Sequence, residues 1–417
     1  MVNSRKAVVV GWDAVSCLGT DFSDQWRRAV AGQSGIGHLT RFLPTETFPV
    51  RIAGQIDDID FPEYAFLKPR NLALWPSPVF KYALLTAHRA LKHSGIDITP
   101  DLAHRVAVTY SSAVGGQDAL IHGDRRMVAH GKLPPPYVNP NSCINMVGGK
   151  ISILTGASGP ITAPVTACAT GLSSLIVGSM FLDAGKADIA ICGAVDFVLV
   201  EPIVAGFATM NAAYVSRPDK MEEKPASASR PFSRDRRGFV ISEGAGAIVI
   251  ATREFARTYG LKQDIEIAGW SMTADAHHFV SPRLDTVGRC MAESIRDAGI
   301  SPVDIDAVNA HATSTRTGDR VEYDALKTVF GNRMPPVTAN KSLMGHAMGA
   351  SSAIESIFTI EGMNRSILPP TINYSPDAEM ELDVVFDGPR NMEQEFVLKN
   401  AFGFGGCNAC VVFRKMV

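Results

Sequence analysis

The stretch from residue 159 to residue 177 constrains the fold more than any other. It reads as a strand, Gly159-Pro160-Ile161-Thr162-Ala163-Pro164-Val165, running into a tight turn of small residues, Thr166-Ala167-Cys168-Ala169-Thr170. An apolar, glycine-containing segment follows at once, Gly171-Leu172-Ser173-Ser174-Leu175-Ile176-Val177, and predicts a buried helix. Strand-like runs at residues 7–10, 106–110, 189–192 and 245–250 alternate with helix-like segments at 78–93 and 287–298. The expected fold class is therefore α/β with buried sheets. The turn also puts a thiol at or near a helix N-terminus, where unpaired N–H groups and the helix dipole favour a nucleophilic thiolate. A lone cysteine among small apolar neighbours is more often an inert core residue, and this segment alone leaves both readings open.

Two later loops shift the balance. Asn309-Ala310-His311-Ala312-Thr313-Ser314-Thr315-Arg316-Thr317-Gly318-Asp319, with Glu322 just beyond, follows the apolar pair Ala307-Val308. Asn340-Lys341-Ser342-Leu343-Met344-Gly345-His346 follows Pro336-Val337-Thr338. Strand ends are where folds of this class display reactive side chains. A glycine-rich turn near the C-terminus, Phe402-Gly403-Phe404-Gly405-Gly406, can bring backbone N–H groups to a reacting centre.

Composition excludes several classes. A formal charge of −2 with no basic block argues against nucleic acid as a ligand. No uncharged apolar run reaches the length of a membrane span, and residues 1–10 read as a strand entering a turn at Gly11, not as a signal peptide. Seven cysteines, an odd number, point to a reducing compartment, so a soluble, cytoplasmic protein is expected. Cys407 and Cys410 have redox-pair spacing, but residues three apart on a strand face opposite ways. His277-His278 lacks the rest of a metal-ligand set nearby, so no metal is expected. Residues 217–229 read as a surface loop. Val8-Val9-Val10-Gly11-Trp12 and Ile265-Glu266-Ile267-Ala268-Gly269-Trp270 form a weak internal echo.

Cysteine, two histidines, a lysine and a terminal glycine turn, in that order, resemble the beta-ketoacyl-acyl-carrier-protein synthases, most closely the type II elongating enzymes. The likeness extends to Ser229-Arg230-Pro231-Phe232, Gly238-Phe239-Val240, Glu243-Gly244-Ala245-Gly246, Met272-Thr273-Ala274-Asp275-Ala276 and Pro369-Pro370-Thr371-Ile372-Asn373, and so spans nearly the whole chain. The resemblance implies a thiolase-like, five-layered fold of two similar α/β halves, residues 1–251 and 252–417, with the active site between them. It implies a decarboxylative Claisen condensation in which Cys168 carries the acyl chain as a thioester. His311 and His346 would present Nε2–H donors to the enolate oxygen. The backbone N–H groups of Cys168 and Phe404 would form a second oxyanion hole, and a buried Lys341 paired with Glu322 would order the site. Thr313 and Thr315 match positions that hold a pantetheine arm, Phe404 a gate over the acyl pocket, and His278 a loop at its entrance. Val114 matches the distal acyl pocket, so Val114→Phe is expected to shorten the accepted chains. Substrate would arrive on the phosphopantetheine arm of acyl carrier protein, with no further cofactor.

The chain departs from the usual family pattern at Ala312 (glycine), Met344 and Cys407 (threonine) and Arg316 (proline). These positions touch the malonyl and pantetheine side more than the nucleophile, which keeps specialised polyketide or lipid synthesis beside fatty-acid elongation. Three assemblies follow: an active homodimer, a catalytic subunit paired with a related chain-length subunit, or a non-condensing partner, the last disfavoured because Cys168 is present. A thiolase is disfavoured because Cys407 follows its glycines, and a type III synthase because His346 occupies the third catalytic place.

Overall fold

The computed structural model describes residues 6–216 and 224–416. One ten-stranded sheet runs through it: β1 Ala7–Ser16, β2 Val106–Ser111, β3 Ile161–Thr162, β4 Ile189–Asp196, β5 Gly244–Thr252, β6 Ile265–Ala274, β7 Ala307–Asn309, β8 Val337–Thr338, β9 Phe396–Gly403 and β10 Cys407–Lys415. Their spatial order is β8-β7-β9-β10-β6-β1-β5-β4-β2-β3. From the centre outward the first five strands run 1-5-4-2-3 and the second five run 6-10-9-7-8, the same path twice. The pairing sense repeats too: β1/β5 and β6/β10 are antiparallel, β4/β2 and β9/β7 parallel. The two sets join at β1 and β6, where Val8 pairs with Glu266 and Val9 with Ile265.

The Gly-Trp echo thus lies on equivalent strands, and its glycines share a cause. A Cβ on Gly11 would lie 2.4 Å from the Ala90 carbonyl of helix α1 (Pro78–Ser94). One on Gly269 would lie 2.2 Å from the Ala298 nitrogen, at the end of a helix that crosses β6, Leu284–Asp297. Each glycine lets a helix cross its strand in close contact. The expected turn at Gly11 is therefore a register shift inside β1, which continues to Ser16.

Two helices fill the space between the strand sets: α2 (Thr170–Asp183), after Cys168, and the helix Met348–Arg365, after His346. Leu172, Leu175 and Ile176 from the first and Ile354 and Ile357 from the second share one core with Ile248 and Ile250 of β5 and Val411 and Phe413 of β10. A second core packs α1 on the outer face of the first strand set, and a third packs Leu284–Asp297 and the helix Arg316–Phe330 outside the second. Helix, sheet, helix, sheet, helix is the five-layered arrangement. The helices Leu284–Asp297, Arg316–Phe330 and Met348–Arg365 are α3, α4 and α5 below.

The strand expected over residues 159–165 shrinks to Ile161–Thr162 because Pro160 and Pro164 have no N–H to give a ladder. Of the loop at 217–229, residues 217–223 lie outside the described residues, and Pro225–Ser227 forms a short 3-10 turn. Among the described residues no helix is long and apolar enough to cross a membrane.

Candidate active site

Cys168 stands in a single turn of 3-10 helix, Ala167–Ala169, immediately before α2. Ala167 enters it at φ 49°, a left-handed conformation that bends the chain sharply where the strand path meets the helix. Thr170 holds the bend: its Oγ1 donates to the Ala167 carbonyl at 2.7 Å and accepts the Thr166 N–H at 3.1 Å. The β9–β10 turn presses in from the other side at Gly403, where a Cβ would lie 2.2 Å from the Thr166 carbonyl.

His346, between the short helix Lys341–Met344 and α5, brings Nε2 to 3.1 Å from Cys168 Sγ. The His311 ring, just beyond β7, stands edge-on to it with centroids 5.7 Å apart. The N–H groups of Phe404 and Cys168 both face the sulfur. Cys168, His311, Thr313, Thr315, His346 and Phe404 line one cavity of about 570 Å³. Thr313 and Thr315 share a hydroxyl hydrogen bond of 3.0 Å, and Thr315 caps α4 by accepting the Gly318 N–H. His278 lines the same cavity, and its loop meets the glycine turn where Gly405 N–H donates to the Phe279 carbonyl at 2.6 Å.

Burial pushes the Cys168 thiol up to about 12, against the opposing pull of Lys341 and the Phe404 N–H. The sulfur therefore rests as a thiol, not as the thiolate expected of a helix N-terminus. Enclosing an anion outweighs the partial charge of the helix end. A thiol needs a proton acceptor, and His346 Nε2 is the group in reach. Burial first, and Lys341 second, hold both imidazoles well below their usual 6.5, so both are neutral. His346 Nδ1 lies 3.0 Å from Ser351 Oγ, which itself accepts the Ala347 N–H at 2.7 Å. A hydroxyl both donates and accepts, so Ser351 serves the imidazole in either tautomer.

Lys341 does not pair with Glu322. Its Nζ donates to Glu355 Oε1 at 2.5 Å and to the His311 carbonyl at 2.6 Å. Glu322 instead accepts the N–H groups of His311 at 2.9 Å and Ala312 at 2.7 Å, and the Asn400 amide at 3.1 Å. The two residues clamp the His311 backbone from its carbonyl and amide sides, which spends the lone pairs that a direct pair would need. Val114 does not line the cavity. It packs in the apolar cluster that contains Met348 and Phe207, both of which do, and its N–H is held by Asp196 at 3.1 Å.

Ala312 sits at φ 31°. Alanine in left-handed backbone costs roughly 1–2 kcal/mol, and glycine's extra freedom in the unfolded chain takes back about 0.5–1 kcal/mol. Ala312→Gly is therefore expected to stabilise the fold by roughly 0–1.5 kcal/mol, read as an unchanged or slightly raised Tm. A fall of several degrees would mean that the methyl group has a packing role.

The beta-ketoacyl synthase N-terminal domain matches residues 4–256 and the beta-ketoacyl synthase C-terminal domain residues 265–375. The chain belongs to the beta-ketoacyl synthase family. It is a condensing acyltransferase with the thiolase-like fold. The 3-oxoacyl-[acyl-carrier-protein] synthase 2 of Vibrio harveyi is 34% identical to this synthase, with both chains covered in full. Among solved structures, the synthase is similar to a type II polyketide ketosynthase, bound to the hexaketide and in complex with its acyl-carrier protein (26% identity, TM-score 0.89, 99% and 100% of the two chains). It is also similar to the ishigamide ketosynthase/chain length factor (28%, TM-score 0.88, 99% and 100%).

Three residues of the synthase's site escaped the sequence reading: Glu355, Lys399 and Ser351. Two of them carried a usable signal. Glu355 is a lone charge in the small and apolar run Ala350-Ser351-Ser352-Ala353-Ile354-Glu355-Ser356-Ile357, and Lys399 a lone charge in Phe396-Val397-Leu398-Lys399. Charges in such runs are buried, and buried charges are paired.

Proposed function

We propose that Cys168 takes an acyl chain from acyl carrier protein and condenses it with malonyl-acyl carrier protein, giving 3-oxoacyl-acyl carrier protein and carbon dioxide. The 3.1 Å contact between His346 Nε2 and Cys168 Sγ, with His311 beside it, carries this reading. In acyl transfer, the sulfur attacks the thioester carbonyl while its proton passes to His346 Nε2. The oxyanion lies against the Cys168 and Phe404 N–H groups, and the expelled pantetheine thiolate takes the proton back from His346. In condensation, the bond from malonyl to its carboxylate breaks and the electron pair forms an enolate. The enolate oxygen accepts from His311 and His346, now both Nε2–H tautomers, with the Ser351 hydroxyl donating to His346 Nδ1. The enolate carbon attacks the acyl carbon, and Cys168 leaves as a thiolate that regains a proton from water. Thr313 and Thr315 hold the pantetheine arm, and Phe404 closes the acyl pocket; Val114 bears on that pocket from behind, through the apolar cluster it shares with the lining residues Met348 and Phe207. Residues 1–251 and 252–417 are the two halves that supply these parts. No cofactor beyond the carrier-borne phosphopantetheine is needed, and the cytoplasm is the expected compartment.

A second copy is the partner expected across the edge strand β3, where Ile161 leaves 52% of its surface open and Ile153, on a helix beside it, 76%. A related chain-length subunit in that place is the second reading, favoured by the likeness to the ishigamide pair. Intact mass of the purified chain with malonyl- and a ladder of acyl-acyl carrier proteins tests both. Adducts on Cys168 with 3-oxoacyl product support the self-sufficient enzyme. Adducts without product point to a missing partner, and no adduct with any primer removes Cys168 from the role.

The lowered imidazole pKa values give a pH prediction. A base held well below 6.5 stays neutral as the pH falls through that value. Malonyl decarboxylation is expected to run without an acid limb from pH 8 to about pH 6. A midpoint near 6.5 would mean that the imidazoles titrate as if exposed.

A further inference from the structure

Lys399 and Lys341 are both fully buried, at 0% and 1% exposure. They share one carboxylate. Lys399 Nζ donates to Glu355 Oε2 at 2.6 Å and to the Asn400 carbonyl at 2.8 Å, while Lys341 holds Glu355 Oε1. One carboxylate cannot neutralise two ammonium groups, and an unpaired buried ion is costly. The fourth charge is Glu322, which accepts from the side chain of Asn400, the neighbour of Lys399. The cluster thus runs Lys399, Glu355, Lys341, the His311 peptide, Glu322 and back through Asn400, and its charges cancel only with Lys399 counted. Without Lys399 one negative charge is left over beside the place where the enolate forms.

We propose that Lys399 is a positioning residue of the condensation step: it holds Glu355, and through it Lys341 and His311, and keeps the buried cluster neutral as enolate charge develops. This rests on the roles given above to Cys168, His311 and His346. Burial acts first on Lys399 to lower its pKa, and Glu355 and Glu322 act to restore it, which fits a cation maintained by its partners. The cavity that the imidazoles share is also lined by Cys168, Asp275, His278, Arg237 and Arg316. Asp275 is already engaged by Thr286 and Asn408.

Lys399→Met removes the charge while keeping most of the volume. Three quantities are measured beside the wild type: acylation of Cys168 by acyl-acyl carrier protein, release of carbon dioxide from malonyl-acyl carrier protein, and product. Acylation is expected within about threefold of wild type, and kcat for decarboxylation and condensation about 10²-fold lower with KM for malonyl-acyl carrier protein unchanged. Lys399→Ala is expected to regain at least about tenfold with ammonium chloride and nothing with tetramethylammonium chloride, which has the charge but not the N–H donors. Wild-type decarboxylation in Lys399→Met, or an equal fall in acylation and decarboxylation, would overturn the proposal. So would a pair of variants that fold only with ammonium present, since that assigns Lys399 to folding. A wild type without Cys168 adducts fails on the reading of the site itself, independently of either variant.

Discussion

Cys168→Ala is expected to leave no acyl adduct and to lower condensation by a factor on the order of 10⁴ to 10⁶, as loss of a covalent nucleophile does. The sulfur is the only group at the apex of the turn that can hold the acyl chain, and its setting is arranged around a thiol. In the proposed acyl transfer, burial keeps the proton on sulfur until a thioester is in place, and His346 Nε2 at 3.1 Å then takes it. Alanine removes the nucleophile but leaves His311, His346 and the lysine–glutamate cluster intact. Carbon dioxide release from malonyl-acyl carrier protein should therefore persist without product. Radiolabelled malonyl substrate separates the two readouts in one assay. Condensation at the wild-type rate would put the acyl chain on another residue.

The overall path of the chain was readable because its signals are local. A strand handed to a small-residue turn and then to an apolar helix has few packings, and the alternation along the rest repeats that theme. The Gly-Trp echo was a true mark of the repeated strand path, but two short pieces could not carry it without knowledge of the helices that Gly11 and Gly269 admit. Prediction failed where a residue's role is decided by groups far away in sequence. Lys341 and Glu322 are neighbours along the chain of motifs, yet each spends its hydrogen bonds on the His311 backbone, and the partner of Lys341 comes from α5. Ser351 carries no signal in sequence at all: a serine in a run of serines and alanines becomes informative only once Nδ1 of His346 is seen beside it. Proximity to a helix end likewise suggested a thiolate, because exposure, which decides the competing desolvation, is not a sequence property.

His311→Ala and His346→Ala are expected to fail differently, and the difference tests the division of labour between two similar side chains. In the proposed condensation each removes one donor to the enolate oxygen, and one such donor is worth about 10²–10³ in kcat. Decarboxylation should fall by that factor in both. Only His346 also contacts the sulfur, so only His346→Ala should slow acylation of Cys168, whereas His311→Ala should acylate at near the wild-type rate. His311→Asn and His346→Asn refine the comparison, since an amide restores an N–H donor but no base. Asparagine should recover part of the decarboxylation at either position and none of the acylation at His346. Equal acylation defects at the two positions would mean that the proton leaves Cys168 by another route, and the 3.1 Å contact would then be a donor bond to the sulfur instead of the path of its proton.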